Sequence, residues 1–165
     1  MQITRASDYA VRVMIHLSSV PGGSTLQQST LAEATDVPPN FLSKVLQRLV
    51  RSGLVRSQRG SGGGFALSVP ASRVSLLEVV QAMEGPIRLN LCLIDGPTCN
   101  RKSWCPAHQV WVETQEAVVR ILGAASMERL AAQARSESPY REHEKPVLIS
   151  GIATKTGTKR KRSRA

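Results

Sequence analysis

Apolar residues recur every three or four positions in six segments of the chain, the spacing that is typical of amphipathic helices. The segments are residues 4–19, 26–34, 40–52, 76–83, 106–122 and 126–133. Between the third and fourth segments the pattern changes to two short apolar runs, residues 54–55 and 65–67, which flank a glycine-rich turn. Such runs predict a β-hairpin. The pattern therefore predicts a mainly α chain with one small β-hairpin.

Residues at three of the predicted helix starts are those that commonly cap helices. Thr25 with Gln28, and Ser75 with Glu78, both have capping-box spacing. Pro106 is expected at the first helical position, just inside a cap at Cys105. These residues predict the starts of the second, fourth and fifth helices.

The second and third predicted helices are short and separated by a tight turn. Residues 40–52 combine an apolar stripe with a polar and basic outer face. The stripe is Phe41, Leu42, Val45, Leu46, Leu49 and Val50, and the outer face is Asn40, Ser43, Lys44, Gln47, Arg48 and Arg51. An ordinary helical hairpin has the same pattern, but a basic β-hairpin follows here, and that order is typical of a winged helix-turn-helix. In that fold the second helix enters the major groove and the wing lies along the phosphates.

The fifth predicted helix carries a wide apolar stripe over more than four turns. The stripe is Ala107, Val110, Trp111, Thr114, Ala117, Val118, Ile121 and Leu122. Because the domain before it is small, a second copy of the helix is the expected cover, which predicts a long C-terminal dimerisation helix and a homodimer. Trp104 and Trp111 are expected to be core or interface anchors.

The charge of the chain indicates a polyanionic partner. The net charge of the 165 residues is +10, and the excess lies mainly in residues 1–70 and 151–165. After residue 135 the composition changes to that of a disordered tail with a basic end. No apolar run approaches the roughly 20 residues needed to cross a bilayer, and no secretory signal pattern is present. We expect a cytoplasmic protein with no membrane contact.

All three cysteines lie in one Gly- and Pro-containing loop, and a histidine follows three residues later. The spacing is Cys92-x6-Cys99-x5-Cys105, then His108, with Gly96 and Pro97 within the first gap. In a reducing compartment such clustering favours a metal centre over disulfides. The paired Cys-x2-Cys spacing of structural zinc sites is absent, whereas iron–sulfur ligation tolerates irregular spacing.

Three other interpretations of the loop stay open at this point. A structural zinc site needs the same residue types, and a redox thiol switch needs only reactive thiols. An enzyme would use Cys105 as nucleophile and His108 as base, but no oxyanion site or third orienting group can be identified. We therefore predict that the chain is not an enzyme.

The predicted winged helix also contains a run of residues that resembles a known family. The run consists of Leu31-Ala32, Phe41-Leu42, Lys44-Val45-Leu46, Leu49, Gly53-Leu54-Val55, Arg59-Gly60, Gly62-Gly63-Gly64-Phe65 and Leu67. Over about residues 1–133 the chain resembles the Rrf2 family of bacterial winged helix-turn-helix transcription regulators. The resemblance implies a homodimer that binds a pseudo-palindromic operator in double-stranded DNA.

The resemblance extends to the loop, because iron–sulfur members of the family bind their cluster with cysteines that match Cys92, Cys99 and Cys105. In members that regulate iron–sulfur biogenesis, a histidine that matches His108 completes a 2Fe-2S cluster. In nitric-oxide-sensing members, a carboxylate that matches Asp8 reaches a 4Fe-4S cluster across the dimer. We favour His108, which adjoins the loop, and keep Asp8 from the partner chain as the alternative. The six-residue gap between Cys92 and Cys99 differs by one residue from the spacing in the members that regulate iron–sulfur biogenesis, which leaves the cluster type open.

These features predict a DNA-binding regulator, expected to be a repressor, whose operator affinity is controlled by an iron–sulfur cluster sensing nitric oxide, redox state or iron–sulfur status. The expected DNA contacts are Asn40, Ser43, Lys44, Arg48 and Arg51 on the helix and Arg56, Arg59 and Ser61 on the wing. The predicted divisions are the winged helix-turn-helix at 1–84, the cluster loop at 85–105, the dimerisation helix and following short helix at 106–135, and the disordered basic tail at 136–165.

Overall fold

The computed structural model describes residues 3–60, 62–94 and 99–137. Its helices are α1 (Arg5–Ser19), α2 (Gln28–Thr35), α3 (Pro39–Arg51), α4 (Leu76–Glu84), α5 (Pro106–Ala124) and α6 (Met127–Glu137), its strands are β1 (Val55–Gln58) and β2 (Gly64–Leu67), and single 3-10 turns lie at Ala71–Arg73 and Leu91–Leu93. The predicted mainly α architecture with one β-hairpin is confirmed. Ser61, Gly96, Pro97 and all but the first residues of the predicted tail lie outside the described residues.

Helix α1 is the centre of the fold and packs against α2, α3, α4 and α6. Its buried residues include Ala10, Val13, Met14 and Leu17, which follow the spacing that predicted the helix. They meet Leu31 of α2, Leu42, Leu46 and Leu49 of α3, Val79 and Met83 of α4, and Met127 of α6. One continuous hydrophobic core thus joins the helix-turn-helix to the helices that flank it.

The apolar stripe of α3 is buried as predicted at its centre but not at its start. Phe41, expected in the core, is 55% exposed, and Val50 is half-buried. Phe41 lies in the first turn of α3, and its ring packs edge-on against the half-buried Tyr9 of α1, with ring centroids 6.0 Å apart. The prediction that Phe41 is buried was wrong because the next residue, Leu42, fills the core at this turn and leaves Phe41 at its edge.

Helix α6 packs against α1, although its sequence position had grouped it with the dimerisation helix. Met127 and Ala131 are fully buried. The amide of Met127 donates to the carbonyl of Val74 at 2.8 Å, and the amide of Leu76 donates to the carbonyl of Ala125 at 2.8 Å. These contacts attach α6 to the N-terminal part of the fold and leave α5 as the outlying helix.

Strands β1 and β2 form an antiparallel wing with Val55 opposite Leu67 and Gln58 opposite Gly64. The chain before α2 adds to this hairpin, because Leu26 and Phe65 exchange two backbone hydrogen bonds of 2.8 and 2.9 Å. The Thr25 hydroxyl donates to the Gly62 carbonyl at 3.2 Å. The prediction that Thr25 caps α2 was therefore wrong: its hydroxyl binds the wing, and the helix begins at Gln28.

Gly64→Ala is expected to destabilise the wing, whereas Gly62→Ala is expected to be nearly neutral. A Cβ at position 64 would lie 2.3 Å from the Leu26 carbonyl oxygen, but one at position 62 would meet nothing within 4 Å. Overpacking against backbone costs about 1–3 kcal/mol, and a free surface change less than about 0.5 kcal/mol. Urea unfolding of both variants measures the difference, and equal midpoints would contradict the Leu26–Phe65 attachment.

The predicted starts of α4 and α5 are confirmed. Ser75 and Glu78 form a reciprocal capping box at α4. Cys105 is the N-cap of α5 with Pro106 at the first helical position. Within the described part of the chain, no helix combines the length and the apolar character needed to cross a membrane.

The carboxylate of Glu84 joins the end of α4 to the start of α1. Its Oε1 accepts hydrogen bonds from the Thr4 amide at 3.1 Å, from the Thr4 hydroxyl at 2.6 Å, and from the hydroxyl of the buried Ser7. The Ser7 and Thr4 hydrogen bonds lower the pKa of Glu84 below its usual 4.5, against a partial desolvation that raises it. The ionised form of Glu84 is therefore the form that this contact stabilises.

Glu84→Gln is expected to lower stability at neutral pH and to flatten its decline in acid. A carboxylate whose pKa is lowered by folding contributes stability above its unfolded-state pKa, and the contribution is lost as the pH falls through the folded-state pKa. For Glu84 the loss should begin below about pH 4.5. Urea unfolding from about pH 7 to pH 3 tests this, with Glu33→Gln on the exposed face of α2 as control. Identical pH curves for wild type and Glu84→Gln would contradict the role of this carboxylate.

Candidate metal centre and nucleic-acid interface

The three cysteines and His108 line one cavity of about 250 Å³. Asn90, Leu91, Lys102 and Trp111 complete its lining. Each cysteine is a free thiol and half-buried. The structure thus brings together all four ligands predicted from the loop and α5.

Short hydrogen-bonded turns place these residues. Cys92 lies on the 3-10 turn Leu91–Leu93, whose first amide donates to the Asn90 side chain at 2.7 Å. A turn at Arg101 leads into α5, because the Cys105 amide donates to the Arg101 carbonyl at 2.8 Å. Cys105 then begins the helix that carries His108 one turn later, so both face the same side.

The histidine of this set has an unsatisfied nitrogen. Nδ1 of His108 is buried and has no hydrogen-bond partner among the described residues. A buried polar atom without a partner is costly, and an imidazole nitrogen is a common metal ligand, so this atom fits a metal-bound role. Three thiols and an imidazole are a donor set that suits an iron–sulfur cluster.

The four side chains do not converge into a metal-binding group as the structure places them. Among the residues that it describes, no three His, Cys, Asp or Glu side chains lie close enough together to hold a metal ion. The arrangement is a cavity lined by donors rather than a closed coordination sphere.

Four lining residues, Asn90, Leu91, Lys102 and Trp111, were not predicted from the sequence as part of this site. Lys102 lines the same cavity as the cysteines, and its positive charge favours an anionic ligand there. Lys102 lies three residues from both Cys99 and Cys105 in the sequence, and this spacing could have indicated that it lies near them. Trp111 lies three residues after His108 on α5, the spacing at which helix neighbours share a face.

Asp8, the alternative fourth ligand, does not line this cavity in its own chain. It lies in the first turn of α1 and forms an ion pair of 2.8 Å with Arg12, with its side chain 52% exposed. That Asp8 of a partner chain supplies the fourth ligand stays a prediction.

The polar face of α3 divides into free and engaged side chains. Asn40, Lys44 and Arg51 are exposed. Ser43 is half-buried, accepts a hydrogen bond from the Gln28 amide group at 2.7 Å and donates to the Pro39 carbonyl at 3.0 Å. Arg48 reaches α4, where its Nη1 donates to the Met83 carbonyl at 2.6 Å.

On the wing, Arg56 and Arg59 are both exposed. Arg56 donates from Nη1 to the Leu67 carbonyl at 3.1 Å, which holds its stem along the hairpin. Arg59 directly follows β1, at the start of the glycine-rich tip. The wing thus presents two exposed cations, and their contact with DNA stays a prediction.

Helix α5 has no buried residue in a single chain. Val110 is 61% and Ile121 60% exposed, and Trp111 and Trp104 are exposed as well. The two tryptophans are therefore not core residues of this chain. Most of the predicted apolar stripe remains uncovered among the described residues, and the main contacts of α5 are with α4 and the 3-10 turn at Cys92.

The profile of Rrf2, described as an iron-dependent transcriptional regulator, matches residues 3–133. The chain belongs to the Rrf2 family. The match covers the winged helix, the cysteine loop and both helices after it.

Rrf2 relatives in other bacteria are named as HTH-type transcriptional regulators. One from Mycobacterium tuberculosis is 36% identical over 87 residues, which is 53% of this chain and 54% of the relative. The chain therefore matches about half the length of that relative. IscR of Xenorhabdus nematophila is 28% identical over 130 residues, 79% of each chain.

Solved structures confirm the winged-helix fold. CymR of Bacillus subtilis, described as a global cysteine regulator, has a TM-score of 0.67 at 24% identity, covering 81% of this chain and 98% of that one. IscR of T. potens has a TM-score of 0.65 at 17% identity, covering 83% and 91%. At these identities the likeness shows the fold alone.

Proposed function

We propose that this Rrf2 chain is a DNA-binding transcription regulator whose operator affinity depends on an iron–sulfur cluster bound by Cys92, Cys99, Cys105 and His108. One observation carries the proposal: a single cavity beside a winged helix is lined by every cysteine of the chain and by a histidine with an unsatisfied Nδ1. The iron dependence in the family description supports it. We favour a 2Fe-2S cluster, with 4Fe-4S as the alternative.

When bound, such a cluster supplies sensitivity to oxidants, nitric oxide and iron supply. The chain's own residues determine how the site binds the cluster and how accessible the cluster is to small reactants. The thiols supply anionic ligands, and Lys102 adds a compensating charge. The 3-10 turn carries Cys92, and Cys105 caps the start of α5, so two separate elements supply these thiols to the cavity. Half-exposure of the cysteines gives small reactants access.

The uncovered face of α5 supports a homodimer. An apolar stripe of this length on the surface marks an interaction site. Two copies paired through α5 would present two recognition helices to successive major grooves, which suits a pseudo-palindromic operator with half-sites about one helical turn apart.

The proposed DNA contacts are divided by role. Lys44 and Asn40 are exposed on the recognition helix and are assigned to base edges, with Arg51 and Ser43 beside them. Arg56 and Arg59 of the wing are assigned to phosphates or the minor groove. Ser61 belongs to the same assignment from the sequence alone. Repression follows if the occupied operator blocks transcription initiation.

Arg59→Ala is expected to weaken binding to every DNA sequence by about tenfold, because it removes a contact to the backbone rather than to a base. The slope of log affinity against log salt concentration should become shallower by about one. Fluorescence anisotropy with specific and scrambled duplexes measures both. Lys44→Ala is the matched comparison, expected to relax sequence preference. A loss confined to one operator base for Arg59→Ala would contradict its assignment.

A redox thiol switch is the second candidate. Three free, half-exposed thiols with no closed metal geometry among the described residues favour it, and S. aureus CymR, solved in an oxidized form, is 28% identical with a TM-score of 0.62 over 79% of this chain and 96% of that one. A structural zinc site has the same donors. Peroxide-dependent DNA binding by metal-free protein would favour the switch, and stoichiometric zinc in a colourless protein would favour zinc.

The test of the proposed function is operator affinity with and without the cluster. A duplex selected from a random library is titrated with anaerobically loaded and cluster-free protein. We expect the two affinities to differ by about tenfold or more. Equal affinities would contradict control by the cluster while leaving DNA binding intact.

A further inference from the structure

Arg48 does not extend freely from the recognition helix. By its spacing it belongs to the polar face of α3, yet its Nη1 donates to the Met83 carbonyl oxygen at 2.6 Å. Met83 is buried in the last turn of α4. The last carbonyls of a helix lack partners within it and lie at the negative end of its dipole, so a guanidinium is favourable there. Arg48 thus connects the recognition helix to the end of α4.

The next residue connects the same helix end to a second element. Glu84 accepts hydrogen bonds from Thr4 and Ser7 at the start of α1, and the charge of Arg48 contributes to the lowered pKa of Glu84. Two successive residues of α4 therefore hold two different helices. A displacement of this helix end would act on both.

The cysteine loop begins at this point. Gly85 follows with a φ of +77°, a conformation that favours glycine, and Ile87 is buried. The amide of Leu89 donates to Oε1 of Gln115 on α5 at 3.2 Å, and Asn90 already lines the cavity. Short, anchored chain therefore separates the Met83 carbonyl from the cysteine site.

We infer that Arg48 is a positioning residue that transmits the state of the cysteine site to the recognition helix through the Met83 carbonyl, rather than a residue that reads DNA. The inference rests on the proposed function, since it needs residues 85–94, the first described part of the loop, to change order with the state of the cysteine site. When the loop is ordered, the end of α4 is fixed, and Arg48 holds α3 in register with it. When the loop relaxes, the Met83 carbonyl moves and α3 loses this restraint.

The test compares Arg48→Gln with Arg51→Gln in the full-length chain. Arg51 lies three residues further along α3 and carries the same charge. Both arginines are exposed, and it is Arg48 that donates to the Met83 carbonyl. Each variant is titrated with the selected duplex in the loaded and cluster-free forms. We expect wild type to show a ratio of about tenfold or more between the two affinities, and Arg48→Gln a ratio below about twofold. Arg51→Gln should weaken both affinities together by about tenfold and keep the ratio.

Arg48→Lys and hydrogen exchange complete the test. The lysine keeps a donor for the Met83 carbonyl and should retain most of the ratio. Coupling is reciprocal, so adding the duplex to cluster-free wild type should slow amide exchange in residues 83–94, and this effect should vanish in Arg48→Gln but persist in Arg51→Gln. A wild-type ratio of one would overturn the proposed function and this inference with it. A wild-type ratio that persists in Arg48→Gln would overturn this inference alone.

Discussion

Replacing His108 with alanine is expected to abolish stable cluster binding, while Asp8→Ala retains it. His108 lines the cysteine cavity with a buried Nδ1 that has no partner among the described residues, whereas Asp8 already pairs with Arg12 on the exposed face of α1. Loss of a supporting residue around a metal costs about 10–100-fold in affinity, and loss of a ligand costs more. Iron and acid-labile sulfide per chain after anaerobic purification measure the effect.

Two further variants control this prediction. Gln109→Ala changes the next residue on α5, which is exposed and bonds Glu113 at 2.9 Å, and should leave the cluster unchanged. His108→Cys supplies a thiolate in place of imidazole and should restore a cluster with an altered absorption spectrum. If Asp8→Ala loses the cluster and His108→Ala keeps it, the fourth ligand comes from the partner's α1 and a 4Fe-4S cluster becomes the better assignment.

Two carboxylates on the outer face of α5 are expected to convert the proposed homodimer to a monomer. In Val110→Glu with Ile121→Glu, two side chains that are 61% and 60% exposed in the single chain become carboxylates. Burying them in an apolar interface without partners would cost several kcal/mol. Sedimentation should show a monomer, and operator affinity should fall by more than about 100-fold because the two half-sites are no longer bound together.

Gln109→Glu is the control for the proposed dimer, because it adds a carboxylate to α5 outside the apolar stripe. It should remain dimeric and bind the operator as wild type does. Helix content by circular dichroism should be unchanged in both variants, since none of these positions is buried within one chain. A double variant that stays dimeric would show that α5 does not form the interface.

Local sequence patterns predicted most helices and strands, because these elements depend mainly on residues that are close in sequence. The 3.6-residue spacing in α1 and the reciprocal cap of Ser75 with Glu78 reappear in the structure. The three cysteines and His108 line one cavity, as their closeness in sequence favours, but their side chains do not form a closed metal site among the described residues. These features need no knowledge of the tertiary fold.

What the sequence missed depends on contacts between distant segments. Thr25 has the spacing of a helix cap, but the backbone of the next residue, Leu26, pairs with the distant Phe65, and the helix begins later, at Gln28. Arg48 has the spacing of a DNA-facing residue, and only the position of α4 shows where its guanidinium binds. Helical spacing likewise could not predict that α6 packs on α1.

Anaerobic purification of the full-length protein, followed by absorbance, iron and acid-labile sulfide analysis, tests the central claim most directly. A cluster in the cavity of Cys92, Cys99, Cys105 and His108 predicts a brown protein with iron and sulfide in equal amounts, about two of each per chain for 2Fe-2S. A colourless protein that lacks both under strict anaerobiosis and still binds DNA would contradict it. The cavity would then be assigned to zinc or to a metal-free thiol switch.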